Sequence, residues 1–121
     1  MGQSYRQLVA WQKAMKFVTA IYLATQQFPN AEIYGLTSRL RRAAVSVPSN
    51  IAEGQARHSQ KEFHHLLSQA RGSLAEIETQ VLISKDLNYL SDEEADRLLA
   101  RTQELGTILN GLLNSISSRI A

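Results

Sequence analysis

The chain has 121 residues, a length that suits one domain in which folding removes roughly two thirds of the surface exposed by the unfolded chain. It contains no cysteine, which excludes disulfides, thiolate metal sites and cysteine nucleophiles and suits a reducing cytosol. The net charge of +2 hides an asymmetry, because residues 1–61 carry 8 basic and 2 acidic side chains whereas residues 62–121 carry 5 and 9. This asymmetry predicts either an anionic partner or pairing between the two halves of the chain.

The first predicted helix runs from Leu8 to Thr25 and carries two neighbouring apolar stripes. The first stripe consists of Leu8, Trp11, Met15, Val18, Tyr22 and Thr25. The second stripe consists of Ala10, Ala14, Phe17, Ile21, Ala24 and Phe28. Both stripes follow the spacing of three and four residues that places side chains on one helical face. The helix ends at Phe28-Pro29, because proline disfavours helical geometry in the residue before it.

The second predicted helix runs from about Ile33 to Glu53, with Gly54 as its C-terminal cap. Its inward stripe consists of Leu36, Leu40, Ala43, Val47 and Ile51. Pro48 interrupts this segment, so that either the helix kinks there, at about 3 kcal/mol, or a new helix begins with proline in its first turn. The stripe continues in phase past Pro48, which favours the kink.

Two capping boxes mark the starts of the third and fourth helices. Ser59-Gln-Lys-Glu62 opens helix 3, and Ser91-Asp-Glu-Glu94 opens helix 4. The inward stripe of helix 3 is Phe63, Leu67, Ala70, Leu74, Ile77, Val81 and Ser84, and that of helix 4 is Leu98, Leu105, Leu109, Leu112 and Ile116. Short connections force neighbouring helices to run antiparallel, so residues 1–121 are predicted to form a single all-α domain, an up-down-up-down four-helix bundle.

The sequence begins without the apolar run of a signal peptide, and no stretch approaches the ~20 apolar residues that span a bilayer. We therefore expect a cytoplasmic protein that does not enter a membrane.

The apolar arcs of helices 1 and 4 are broader than a lone bundle can hide, which predicts a homo-oligomer. The alternative is a wide core within one chain. We assign the interface to part of the second stripe of helix 1 and to the flanking positions of helix 4: Ala10, Ala14, Phe17, Ile21, Leu99 and Leu113.

No catalytic constellation or phosphate-binding loop is recognisable, so neither an enzyme nor a cofactor is predicted. Glu62 and His65 have the spacing of a metal-ligand pair in helical bundles, but helix 1 has no acidic residue with which to complete a site, and Glu62 already belongs to a capping box. Glu76 and Glu78 point to different helical faces, and we expect them to pair with Arg41 or Arg42.

A basic cluster formed by Arg39, Arg41, Arg42, Arg57 and Lys61 is the candidate binding site for RNA or DNA, with Lys13 and Lys16 as neighbours. The alternative is an ordinary solvated face, because no aromatic side chains lie between these cations in the sequence. In a ring of copies the cluster would be repeated and would neutralise more phosphates.

The segment from Tyr34 to Gly54 strongly resembles the four-helix bundle proteins known from intervening sequences in bacterial 23S rRNA genes. The resemblance extends to Trp11-Gln-Lys13, Phe28-Pro29, Lys61-Glu-Phe63 and the stretch from Gly72 to Gln80. It therefore covers most of the chain and leaves helix 4 and the termini loosely matched.

The resemblance implies a pentameric ring of antiparallel bundles. It also implies kinship with accessory proteins of diversity-generating retroelements, which bind nucleic acid and a reverse transcriptase. The basic character of the family falls on Arg41, Arg42 and Arg57 here, whereas Arg39 stands where many members have glutamine. The expected protein is thus a non-enzymatic homo-oligomeric scaffold that binds nucleic acid, a reverse transcriptase or another protein. The rival expectation is a protein-interaction module whose arginines are structural.

Overall fold

The computed structural model describes residues 4–120 and contains four α-helices in that range. α1 spans Val9–Thr25, α2 Leu36–Ala56, α3 Gln60–Asp86 and α4 Asp92–Ile120, and short 3-10 turns lie at Tyr5–Gln7 and Asn30–Glu32. No strand occurs between residues 4 and 120, and the predicted all-α four-helix bundle is confirmed. None of the described helices combines the length and the apolar character that crossing a bilayer requires.

Contacts between helix ends establish the antiparallel arrangement. Thr25 at the end of α1 accepts a hydrogen bond from Arg41 in the first half of α2. His64 near the start of α3 lies 3.0 Å from the hydroxyl of Ser117 near the end of α4. Each helix packs on the next along the chain and α4 returns to α1, whereas the backbones of the diagonal pairs stay farther apart, with no Cα atoms within 8 Å of each other. The order around the bundle is therefore α1, α2, α3, α4.

The connection between α1 and α2 is fixed by the carboxylate of Glu32. Its Oε1 accepts a hydrogen bond from the backbone amide of Leu36 at 3.1 Å, and its Oε2 accepts one from the Tyr89 hydroxyl at 2.9 Å. This carboxylate supplies a partner for one of the amides left unpaired at a helix start. α2 accordingly begins at Leu36, three residues later than the predicted Ile33, because Asn30–Glu32 forms a 3-10 turn.

Serine side chains cap the starts of α3 and α4 as predicted. The Ser59 hydroxyl accepts a hydrogen bond from the Glu62 amide at 3.3 Å. At the second site the bonds are reciprocal, since the Ser91 amide donates to Glu94 Oε1 at 3.0 Å and the Glu94 amide donates to the Ser91 hydroxyl at 3.1 Å. α3 and α4 therefore begin at the residues that follow these serines.

α2 continues without a break through Pro48 and does not end at Gly54. One helix covers Leu36–Ala56, so the alternative of a new helix starting at Pro48 is wrong. The prediction that Gly54 caps the helix is also wrong, because Gly54 is buried inside the last turns and has no positive φ. A methyl group at this position would lie 2.6 Å from Cδ1 of Phe63, so glycine serves close packing of α2 on α3 here.

The second apolar stripe of α1 belongs to the core of the single chain. Four of its members are at most 1% exposed: Ala10, Ala14, Phe17 and Ile21. Leu113 is also buried, and Leu99 is half-buried against the same core. Buried side chains offer no surface to a second copy, so the assignment of these five buried residues to an oligomer interface is corrected, whereas the half-buried Leu99 retains part of its surface. The other α1 stripe lies at the rim of the core and remains partly exposed except at Thr25, which is buried.

Candidate binding surfaces

Arg41 joins α2 to the end of α1. Its Nε donates a hydrogen bond to the Thr25 hydroxyl at 2.9 Å, and its Nη2 donates one to the Tyr22 carbonyl oxygen at 3.4 Å. The guanidinium carbon lies 4.6 Å from the centre of the Tyr22 ring, within the range of a cation–π interaction. These contacts on a half-buried side chain give Arg41 a structural role and engage two of its five N–H donors.

Arg39 and Arg42 are exposed on the first half of α2. They are three residues apart, which corresponds to a rise of about 4.5 Å along the helix. Neither forms an ion pair with any residue between 4 and 120. Arg42 borders a depression of about 460 Å³ whose walls include Tyr22 and Val45, whereas Arg39 does not line it. The sequence pattern did not reveal that an aromatic ring lies in the same depression as Arg42.

Arg57 and Lys61 lie far from this pair. Arg42 and Arg57 are separated by 15 residues of α2 and its C-terminal cap, or about 22 Å at the rise of an α-helix. The Nη2 of Arg57 contacts Glu53 Oε2 at 2.6 Å, and this hydrogen bond and charge raise the pKa of Arg57 above its ordinary value. The predicted cluster is therefore two separate groups of cations within one chain, and part of it is already engaged.

The predicted ion pairs between α3 and α2 are wrong. Glu76 Oε2 accepts a hydrogen bond from Gln80 Nε2 at 3.0 Å, one turn along the same helix. In the described part of the chain neither Glu76 nor Glu78 pairs with Arg41 or Arg42. The spacing of charges along the sequence did not reveal which helical faces meet.

An apolar groove runs along the outward side of α1 and α2 and has a volume of about 310 Å³. Its lining includes Trp11, Met15, Val18, Val45, Pro48 and Ala52. Met15 is 44% exposed and Val45 is 40% exposed, large fractions for apolar side chains of this size. The Tyr5 ring packs edge-on against Trp11 at 5.3 Å. Val45 also borders the depression beside Arg42, so the two hollows lie next to each other along α2.

A second groove lies between α1 and α4, and the sequence analysis missed it. We call it the basic groove; it has a volume of about 320 Å³ along Ala20, Leu23, Ala24, Arg97 and Arg101 and extends past Lys13 and Lys16. Arg97 and Arg101 are one helical turn apart, which is the sequence signal that was available. It was obscured because both arginines lie in the half of the chain with net negative charge.

The histidine residues near the start of α3 make local polar contacts. His65 Nε2 lies 3.2 Å from Gln69 Nε2, and His64 Nε2 lies 3.0 Å from the Ser117 hydroxyl. Over residues 4–120, no group of three or more histidine, cysteine, aspartate and glutamate side chains is arranged to hold a metal ion.

A protein of unknown function from the S23 ribosomal protein family of Bacteroides thetaiotaomicron VPI-5482, with a crystal structure at 1.70 Å resolution, matches with a TM-score of 0.80. The two sequences are 19% identical, and the match covers 87% of this chain and 98% of that chain, so the likeness concerns the fold. No curated protein matches, and neither finding connects the chain to diversity-generating retroelements. Residues 6–111 match the family of 23S rRNA-intervening sequence proteins, and the chain belongs to that family.

Proposed function

We propose that this protein is a non-enzymatic homo-oligomeric scaffold that assembles through its apolar groove. The observation that carries the proposal is the run of partly exposed apolar side chains on the α1–α2 face, with Trp11, Met15 and Val45 at its centre. Tryptophan, tyrosine and methionine are the residue types that protein interfaces favour over the rest of a protein surface. The resemblance of the sequence implies a pentameric ring as the assembly.

The occupant of the apolar groove in this proposal is a second copy of the chain. A ring needs two different patches on each copy, because head-to-tail contacts join unlike surfaces. The outward side of α3 offers the second patch, since Leu82, Ile83 and Leu87 are each more than two-fifths exposed. α3 does not touch α1, so this patch and the groove lie on different sides of the bundle. The two apolar surfaces suit the contacts of a closed ring.

Light scattering of the purified protein tests self-association. We expect the mass of several chains for the wild type and a lower mass for the double variant Met15→Glu/Val45→Glu, because two carboxylates would be placed in the apolar interface. The matched control is Leu23→Glu, which introduces a carboxylate at a 57% exposed leucine on the other side of α1 and should leave the mass unchanged. A wild-type mass of one chain would refute the proposal.

We further propose that the assembly binds nucleic acid through Arg39 and Arg42 of each copy, with Arg57 and Lys61 as a more distant second group. Repetition around a ring supports this, because several copies would neutralise more phosphates than the two exposed arginines of one α2 helix. With a short single-stranded RNA as the probe, affinity should fall steeply as salt is added. Arg39→Glu/Arg42→Glu should lose binding while Arg71→Glu, an exposed arginine of α3, retains it.

The second candidate function is a protein-interaction module whose arginines are structural. The contacts of Arg41 with Thr25 and Tyr22 and the pairing of Arg57 with Glu53 favour it. It predicts that single-stranded RNA and a short duplex leave the scattering mass unchanged at low salt, whereas the nucleic-acid proposal requires a larger mass. The same titration therefore separates the two functions.

A further inference from the structure

The basic groove between α1 and α4 has an apolar floor that is open to solvent. Among the adjacent helix pairs, α1 and α4 pack least closely. The floor that reaches solvent is formed by Ala20, Leu23 and Ala24 of α1, and beneath it lies the buried Leu98 of α4. Leu23 is 57% exposed, and the two alanines are small enough to let another backbone approach closely. The shape is that of a shallow trough between two antiparallel helices.

Unpaired cations border this floor. Lys16 and Arg101 border the same small hollow, and Arg97 lies one helical turn from Arg101 along the groove. None of these three cations forms an ion pair within 4.0 Å in the described residues 4–120, although the charge of Arg97 helps to lower the pKa of Glu94 at the end of the groove. Lys13 differs, because its Nζ lies 3.0 Å from Glu104 Oε2. The middle of the groove therefore has an excess of positive charge.

Carboxylates mark both ends of the groove. Glu104 stands beside Lys13 at one end, and Glu94 stands beside Gln27 at the other. Lys13 and Thr25 are 12 residues apart on α1, which corresponds to about 18 Å, and Gln27 lies in the turn that follows. The cationic stretch thus has a defined, short length.

We propose that the basic groove binds an acidic amphipathic α-helix of a partner protein. An amphipathic helix of about 14 residues matches the length of the groove, would place its apolar residues on Leu23 and the two alanines, and would place flanking carboxylates beside Lys16, Arg97 and Arg101. Charge complementarity at the rim sets the position of the partner helix along the groove, and burial of Leu23 supplies the apolar contact.

The two end carboxylates and the apolar floor favour a helix over a nucleic-acid strand. A phosphodiester chain carries charge along its whole length, so a strand following the groove would meet Glu104 and Glu94 as it entered and left. It would also leave the apolar floor without a matching contact. A short helix with its acidic residues in the middle avoids both conflicts.

The proposal does not depend on self-association, because the apolar groove borders the other side of α1. A suitable probe is a blocked helical peptide of about 14 residues, with leucines spaced three and four residues apart and glutamates beside that stripe. We expect saturable binding by calorimetry, with one peptide per chain. In NMR spectra the shifts should move most at Leu23, Ala24 and Leu98.

Reversal of charge provides the decisive comparison. Lys16→Glu/Arg101→Glu should weaken the peptide about tenfold or more, because two attractive contacts become repulsive. The control Arg39→Glu/Arg71→Glu changes the net charge equally at exposed arginines outside the groove and should alter affinity less than about twofold. A peptide with lysine in place of glutamate should bind the reversed groove better than the wild type.

Three outcomes would overturn the proposal. Equal loss in both double variants would mean that the peptide responds to net charge alone. Shift changes at Met15 and Val45 instead of Leu23 would place the peptide in the apolar groove. Displacement of the peptide by single-stranded RNA, in a manner that depends on Lys16 and Arg101, would assign the groove to nucleic acid. If the charge reversal disturbs folding, as judged by circular dichroism, Leu23→Glu tests the floor and should also weaken binding.

Discussion

Replacing Gly54 by alanine tests whether α2 and α3 pack as closely as the structure indicates. The new methyl carbon would lie 2.6 Å from Phe63 Cδ1, 3.3 Å from Phe63 Cε1 and 3.4 Å from Leu66 Cβ. Carbon atoms prefer separations of about 3.5–4.0 Å, so the Phe63 ring must move. Alanine gains about 1 kcal/mol over glycine inside a helix, whereas overpacking costs about 1–3 kcal/mol. We expect a net loss of about 1 kcal/mol in the free energy of unfolding.

The matched control is Gly72→Ala on the exposed side of α3, where an added methyl group meets nothing within 4 Å. This variant should gain about 1 kcal/mol from helix propensity alone. For a chain of this size, 1 kcal/mol corresponds to a change of about 4 °C in Tm. Circular dichroism melts at one protein concentration should therefore move Tm in opposite directions for the two alanine variants.

A double-mutant cycle tests whether contact with the Phe63 ring causes the loss of stability in Gly54→Ala. Truncation of Phe63 to alanine removes the ring atoms Cδ1 and Cε1 that the new methyl group meets, so Gly54→Ala should be much less damaging in the Phe63→Ala background. We expect a coupling free energy of about 1 kcal/mol. If Gly54→Ala stabilises the protein as much as Gly72→Ala does, the argument from close packing is wrong.

Two other contacts give predictions of stability. Arg41→Lys should lower the free energy of unfolding, measured by urea titration, by about 1 kcal/mol. Lysine cannot make both the hydrogen bond that Nε donates to Thr25 and the planar stack on the Tyr22 ring. Unchanged stability would contradict this prediction. Hydrogen bonds with the amide and hydroxyl of Ser91 hold the pKa of Glu94 below its usual range. The ionised carboxylate therefore stabilises the fold fully above the unfolded pKa near 4.5, and this stabilisation is lost as the pH falls through the lower pKa of the folded state. Glu94→Gln should therefore flatten the decline of Tm with acid below about pH 4.5, and an unaltered profile would count against the assignment.

The helix starts were predictable because they depend on local chemistry. Ser59 and Ser91 satisfy amide groups within three residues of themselves, and those residues are visible in the sequence. The start of α2 was misplaced because its amide partner is the side chain of Glu32, held from the other side by Tyr89. Tyr89 is 57 residues away in sequence, so no local pattern could reveal its contribution.

The side of α1 that faces the core was not predictable from periodicity alone. Both apolar stripes follow the same spacing, so the pattern allows either one to be buried. In the structure Phe17 and Ile21 enter the core, whereas Met15 and Tyr22 remain about two-fifths exposed. Side chains with a polar atom or a flexible sulfur tolerate the rim of a core better than aliphatic ones do.

The candidate site was the least predictable part, because it depends on which helices meet. Arg41 and Arg42 are adjacent in sequence, yet one is held by Thr25 and the other is exposed. Conversely, Lys16 and Arg101 border one hollow although 85 residues separate them. The distribution of charge along the chain predicted one site for Arg41 and Arg42, and it placed Lys16 and Arg101 in different halves of the chain.

α1 lies between the apolar groove and the basic groove, and this placement leads to a last prediction. Met15 and Val18 face the α2 side of α1, whereas Lys16 and Leu23 face the α4 side. A copy seated in the apolar groove therefore leaves the basic groove open, and the assembled protein should bind one acidic peptide per chain. The separation of the two surfaces also means that Met15→Glu, combined with Val45→Glu, should reduce the mass of the assembly without changing peptide affinity by more than about twofold.

Calorimetry on the assembled wild type and on this double variant measures both quantities. Peptide binding that appears only in the smaller species would show that neighbouring copies cover the basic groove, and the assignment of self-association to the α1–α2 face would then be wrong. Equal affinity and one site per chain in both species would support separate roles for the two sides of α1, with assembly on one side and partner binding on the other.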